Sequence, residues 1–341
     1  MKRIETATPI RTVISTTLLC IVTACGIDQG GARITPTAPS QATIVVSGPI
    51  TGFGSIRLNG LVLDTVGATV SIDGAPAVEA DLREGQMIRV IASRTGAAFR
   101  ALSIEQRENV TGAIDQIDTA NGTLTVLGQL VHTDAATRYD IPQVASLADL
   151  DIGDGIAISG FSLSGGEILA THIGGADPNG PFQLAGSIAS TNSIALRFDL
   201  GGLTIDYSQS GVFDVPTGIP QVGALVEVRG AMLANGVLLA DEVRTLTRLP
   251  GLFNSETTTL SPAEAPLVSA DNPALEANFV GIVTETNLPG RVSLGGVDVL
   301  LDGAIQIIGG VAVDLTVGRR LQVEGTISVL GQIRATRIRL L

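Results

Sequence analysis

Apolar and polar residues alternate along most of this chain, and the alternation repeats one pattern four times. Its core is L-x-x-G-x-x-I-x-V, then a turn, then A-x-x-I. The first copy is Leu82, Gly85, Ile88, Val90, Ala101 and Ile104. The second is Leu150, Gly153, Ile156, Ile158, Ala170 and Ile173. The third has Pro220 in the leucine slot, followed by Gly223, Val226, Val228, Ala240 and Val243. The fourth is Leu315, Gly318, Leu321, Val323, Ala335 and Ile338. A period of two residues gives each strand one buried and one wet face. A copy of about 65 residues has the size of a small domain, so the pattern predicts a tandem array.

The second copy shows the predicted elements best. A strand over residues 110–118 is followed by the Asn121-Gly122 turn, a strong hairpin signal. Strands over 123–127 and 130–139 come next, then a connector with a short helical turn at 144–150. Strands over 155–163 and 167–173 close the copy across Gly165-Gly166. Gly112 matches Gly48, Gly186 and Gly281, and Gly128 matches Gly60, Gly202 and Gly296. Glycine at one point in divergent copies signals a backbone need such as positive φ or a bend. Five short strands with a connector after the third is the order of an OB-type barrel. The expected fold is therefore all-β, four tandem small five-stranded OB-like β-barrel domains. A five-stranded sandwich or a continuous β-solenoid is the runner-up. The expected units are 47–108, 109–175, 183–247 and 278–341, with a linker over 248–277.

Composition agrees with a β-rich chain: 45% hydrophobic, 3% aromatic, 41 glycines. The N-terminus adds a location. Lys2, Arg3 and Arg11 precede an apolar run over 13–24, too short for a bilayer span of roughly 20 residues. The run ends Val22-Thr23-Ala24-Cys25, which resembles a bacterial lipobox. Residues 1–24 then read as a signal peptide and Cys25 as the lipidation site. Residues 25–46 read as a lipidated flexible tether rich in Gly, Thr, Pro and Ser. Gly26 after the cysteine, where the sorting rule for inner-membrane retention has Asp, points to the outer membrane. Cys20 leaves with the signal, so the mature chain has no disulfide and no thiolate metal site.

Charge narrows the partners. Loss of Lys2, Arg3, Arg11 and Glu5 takes the net charge from −12 to −14. Eight acids against Arg138 make residues 109–175 the acidic part. With no Trp, two tyrosines and this charge, nucleic-acid binding is not expected. Lys2 is the chain's lysine, which excludes lysine-based covalent mechanisms from the mature protein.

The first copy also carries Gly48-Pro49-Ile50-Thr51-Gly52-Phe53-Gly54-Ser55-Ile56, Asn59-Gly60, Asp64-Thr65 and Asp81-Leu82-Arg83-Glu84-Gly85. Together with the A-x-x-I ending, this resembles the bacterial family called domain of unknown function 5666. The resemblance is strongest in the first copy, and the fourth departs most, with Leu300 in place of an Asp. It implies β-barrel units and an envelope location, and brings no activity and no catalytic residues.

The copies serve as controls on candidate chemistry. Asp149, Asp151 and Asp154 beside Gly155 have the look of a calcium loop, but the matching turn reads Pro220-Gln221-Val222-Gly223 in the third copy. His132 and His172 fall in slots held elsewhere by other residue types, which reads as outward-facing surface. No G-x-S-x-G elbow occurs; Gly160-Phe161-Ser162-Leu163-Ser164 lacks its last glycine. No catalytic residue, metal site or cofactor is expected. Arg319, Arg320, Arg334, Arg337 and Arg339 form the basic cluster, expected as a solvated strand face that could dock an acidic partner or the acidic second unit. The expected protein is a non-catalytic lipid-anchored envelope protein, held at the membrane by its lipid and presenting β-barrels to an envelope protein or glycan. A polysaccharide-processing enzyme or accessory module and a calcium-dependent adhesion protein are the alternatives.

Overall fold

The computed structural model describes residues 42–215, 218–232, 236–246, 275–302, 304–328 and 331–341. The signal peptide, Cys25 and residues 248–274 of the expected 248–277 linker lie outside these residues. Within them the chain is all-β, with helix confined to single 3-10 turns.

Repeat one holds β1 (Ala42–Pro49), β2 (Ile56–Leu58), β3 (Leu61–Asp64), β4 (Thr69–Ile72), β5 (Ala75–Ala77), β6 (Met87–Thr95) and β7 (Ala98–Gln106). Repeat two holds β8 (Val110–Asp118), β9 (Thr123–Val126), β10 (Gln129–His132), β11 (Arg138–Asp140), β12 (Gly155–Ser162) and β13 (Ile168–Gly175). Repeat three holds β14 (Phe182–Asn192), β15 (Arg197–Leu200), β16 (Leu203–Asp206), β17 (Val212–Asp214), β18 (Leu225–Met232) and β19 (Val237–Thr245). Repeat four holds β20 (Leu275–Asn287), β21 (Arg291–Leu294), β22 (Val297–Leu300), β23 (Gln306–Ile308), β24 (Arg320–Ile327) and β25 (Ile333–Leu340). Two expected boundaries move: β1 takes 42–46 from the tether, and β20 takes 275–277 from the linker.

The alternating apolar residues form the core. Val90, Ile156, Ile158, Val226, Val228, Leu321, Val323 and Ile338 are fully buried. In repeat two, β8 pairs antiparallel with both β9 and β12, β9 with β10, and β12 with β13, while β10 runs parallel to β13. The pairing thus returns to its first strand. Repeats three and four do the same. In repeat one the step from β1 to β2 is a single bridge, Gly52 to Arg57. The expected single third strand is broken: β10 and β11 both run parallel to β13, so each repeat has more than five strands.

The repeats are not discrete barrels, which corrects the sequence expectation. Their strands run on into one another as a 13-stranded and a 12-stranded sheet. Repeats one and four join through parallel β1 and β20, with Ile44 opposite Glu276 and Ser47 opposite Phe279. Repeats two and three join through antiparallel β8 and β14. In this respect the chain is nearer the continuous β-array than a row of beads. The physical reason is burial. Val45 of β1 joins the core of repeat four, and repeats two and three share one core. Phe161, Val280 and Ile282 form a further cluster between repeats two and four, with Met87 of repeat one against it.

Candidate functional site

The slots shared by the repeats build turns. Gly85, Gly153, Gly223 and Gly318 have φ of 90°, 96°, 81° and 86°, a region L side chains avoid. Just before them, Asp81, Asp149 and Asp314 accept the amides of Val78, Ser146 and Val311 at 3.0, 2.9 and 2.8 Å. The calcium-like run is therefore occupied by its own backbone: Asp149 caps a 3-10 turn, and Asp154 accepts the Asp151 amide at 2.9 Å. Those bonds, led by the Ala145 amide, hold the Asp149 carboxyl below its ordinary value.

An open groove lies where β1 meets β20. Its volume is about 360 Å³, with Ile44, Leu61, Phe99 and Ala277 as apolar lining. Arg94 of repeat one pairs with Glu276 of repeat four across it. Glu324, Thr326 and Thr336 supply polar groups along one side. Glu324 also bonds Arg337 at 3.0 Å. Beside Asn278 of the lining, amides brace the two repeats. Asn59 Nδ2 donates to Ser47 O at 2.8 Å, and Gln322 Nε2 donates to Asn59 O at 2.9 Å and to Asn278 Oδ1 at 3.1 Å.

A second polar centre joins repeats one and three. Arg107 bridges Glu105 and Glu227, and Arg229 also meets Glu227, at 3.0 Å. Arg89 pairs with Glu105, and burial, then the Arg107 charge, lowers the Arg89 guanidinium to about 9. Asp73 Oδ1 accepts the Glu108 amide at 2.9 Å and Gln183 Nε2 at 2.8 Å. Burial, and then the Asp73 charge, push the Glu108 carboxyl up to about 8. Sequence reasoning missed this centre. The signal available was the polar run Gln106-Arg107-Glu108-Asn109 at the joint of two copies.

The arginines of the basic cluster are exposed or half-buried, and three of them find carboxylates. Arg334 meets Asp302 at 3.2 Å, Arg337 meets Glu324, and Arg320 lies 3.8 Å from Asp134 of the acidic second repeat. Arg320 also lies over the Phe161 ring, 4.9 Å from its centre. Arg319 and Arg339 are exposed. The histidines differ from each other. His132 is partly exposed and bonds Glu167 at 2.7 Å. His172, expected on the surface, is 3% exposed, and neither ring nitrogen has a hydrogen-bond partner. The turn of repeat one lies close by: a Cβ on Gly85 would come 2.5 Å from Thr171 O, and the Arg83 charge acts on the ring. Burial lowers the His172 imidazole, while Asp140, 4.0 Å away, opposes the shift.

These features define an all-β tandem-repeat protein whose shared residues make cores and turns. The chain belongs to the family described as domain of unknown function (DUF5666), whose model matches residues 111–174, 185–244 and 280–339, more than half its length. Repeat one, read from sequence as the strongest match, lies outside the matched residues. No curated protein matches the chain.

Proposed function

We propose that this chain is a non-catalytic, lipid-anchored envelope protein that holds a short glycan segment in the groove between repeats one and four. The groove carries the reading. A cavity of about 360 Å³ with an apolar lining and a few polar groups has the make-up of a small-ligand site. Phe99 offers a surface for the C–H face of a sugar ring. Glu324 and the Thr326 and Thr336 hydroxyls offer bonds to its hydroxyl groups. The non-catalytic part is supported by where the shared residues go, into turns, caps and cores. The anchor and the outer-membrane location rest on the lipobox-like Val22-Thr23-Ala24-Cys25 and on Gly26. Repeats two to four are read as small OB-type barrels fused to their neighbours, because their pairing runs in a ring, as in β8, β9, β10, β13, β12 and back to β8.

One experiment with three chains tests this. Wild type, Cys25→Ser and Phe99→Ala are expressed in a bacterial envelope, fractionated and crosslinked to isolated envelope glycans. Wild type should be in the membrane fraction with glycan attached. Cys25→Ser should be soluble, and Phe99→Ala should stay at the membrane and bind glycan about tenfold more weakly, a change of about 1.4 kcal/mol. Membrane retention of Cys25→Ser sinks the anchor. Equal glycan capture by Phe99→Ala, or capture of a protein alone, sinks the groove reading.

A further inference from the structure

Glu108 stands where repeats one and three meet, and its carboxyl is buried close to a second carboxylate, Asp73. It ends the connection from repeat one and precedes β8 of repeat two. Its amide and Gln183 of repeat three share Asp73 Oδ1. Gln86 Nε2 donates to Glu108 Oε1 at 3.4 Å. Oε2 has no partner. Gln106 lies beside this carboxyl and acts to favour its charged form, an effect that burial and the Asp73 charge outweigh. Both residues are buried, Gln106 fully and Glu108 to 6% exposure.

The Glu108 carboxyl is buried beside the Asp73 carboxylate, with Gln86 and Gln106 as its neutral polar neighbours, so a negative charge there would meet like charge with little solvation.

Charge balance gives the same answer from different residues. Arg89 on β6, Arg107 after β7, Arg229 on β18 and Arg244 on β19 supply the positive charges of the joint. Glu105, Glu227, Glu242 and Asp73 supply an equal number of negative ones. A further buried negative charge on Glu108 would be uncompensated, which is costly.

We infer that Glu108 is a proton-binding site: as a neutral carboxylic acid it lets repeats one and three stay joined, and loss of the proton loosens that joint. The sign of the linkage follows. The native chain keeps this proton up to about 8, whereas an unfolded Glu releases it near its ordinary value of 4.5. The stabilisation is complete below the lower value and is lost as pH rises towards the upper one, up to tenfold in the folding equilibrium per pH unit.

The test uses the whole chain. Its infrared spectrum at mildly acidic pH should contain a protonated-carboxyl C=O band, absent in Glu108→Gln, that fades with a midpoint near 8. Asp73→Asn removes the like charge and should move that midpoint down. The urea midpoint of wild type should fall with rising pH relative to Glu108→Gln, whose amide imitates the neutral acid. No Glu108-dependent band, or a stability difference that is flat with pH, overturns the inference. Were Glu108→Gln not to fold, an unchanged midpoint in Asp73→Asn would overturn it alone.

Discussion

Glycine does two different jobs in this chain, and only one is visible as a left-handed backbone. Gly153 sits at φ of 96°, and a methyl added there would meet nothing within 4 Å, so its need is conformational. Gly160 has no such φ. Its need is contact, because a Cβ there would lie 2.3 Å from Leu169 O. Gly230 and Gly325 repeat this, at 2.0 Å from Leu239 O and 2.1 Å from Arg334 O. All three sit at a register shift in the fourth long strand of the ring. Repeat one has the same shift with Ala92, so a methyl can be housed where the neighbouring backbone is placed for it. Gly160→Ala should therefore cost about 2 kcal/mol in urea unfolding by overpacking. Gly153→Ala should cost about 1 kcal/mol through its φ alone. Equal small losses at both would reject the distinction. The shared L-x-x-G glycine was legible in sequence because four copies align on it. The bulge glycine was not, because its reason is a carbonyl on the next strand.

At the scale of elements, β12 and β20 tie together repeats that are not neighbours in sequence. Phe161, 4% exposed, packs on Val280 and Ile282, and Arg320 covers its outer face. Ser164 Oγ adds a bond to Thr284 O at 3.0 Å. Phe161→Ala should lose about 3 kcal/mol of stability by thermal or urea unfolding. Arg320→Gln should lose about 0.5–1 kcal/mol, and nothing further once Phe161 is gone. Full additivity of the two would mean that the ring and the guanidinium are not coupled. The strands themselves were legible: β8 covers the expected residues, and the 3-10 turn at Leu147–Asp149 falls within the expected connector. The break between β10 and β11 was not. Asp134 and Thr137 fold that stretch into a turn by bonding each other's neighbourhood, with the Asp134 amide on Thr137 Oγ1 at 3.0 Å.

At the scale of the whole molecule, the first repeat is completed by the last. The paired strands β1 and β20 stand more than 200 residues apart, with Ile44 opposite Glu276. A chain ending before β20 would leave β1 with an open edge and uncover Val45, now 3% exposed. Such a chain, cut after residue 274, should melt at lower temperature and self-associate in size-exclusion chromatography. A monomer melting like the full chain would mean that repeat four is an independent bead.

The repeating pattern by itself determined the strands, their buried faces and the turn glycines, because those follow from period, backbone conformation and local hydrogen bonds. Which repeats touch was decided only by the tertiary structure. The same alternation suits a free strand edge and a joined one, and no local rule tells Val45 that its core lies in repeat four. That pairing created the groove at Phe99, buried His172, and set Glu108 among the charges of a third repeat.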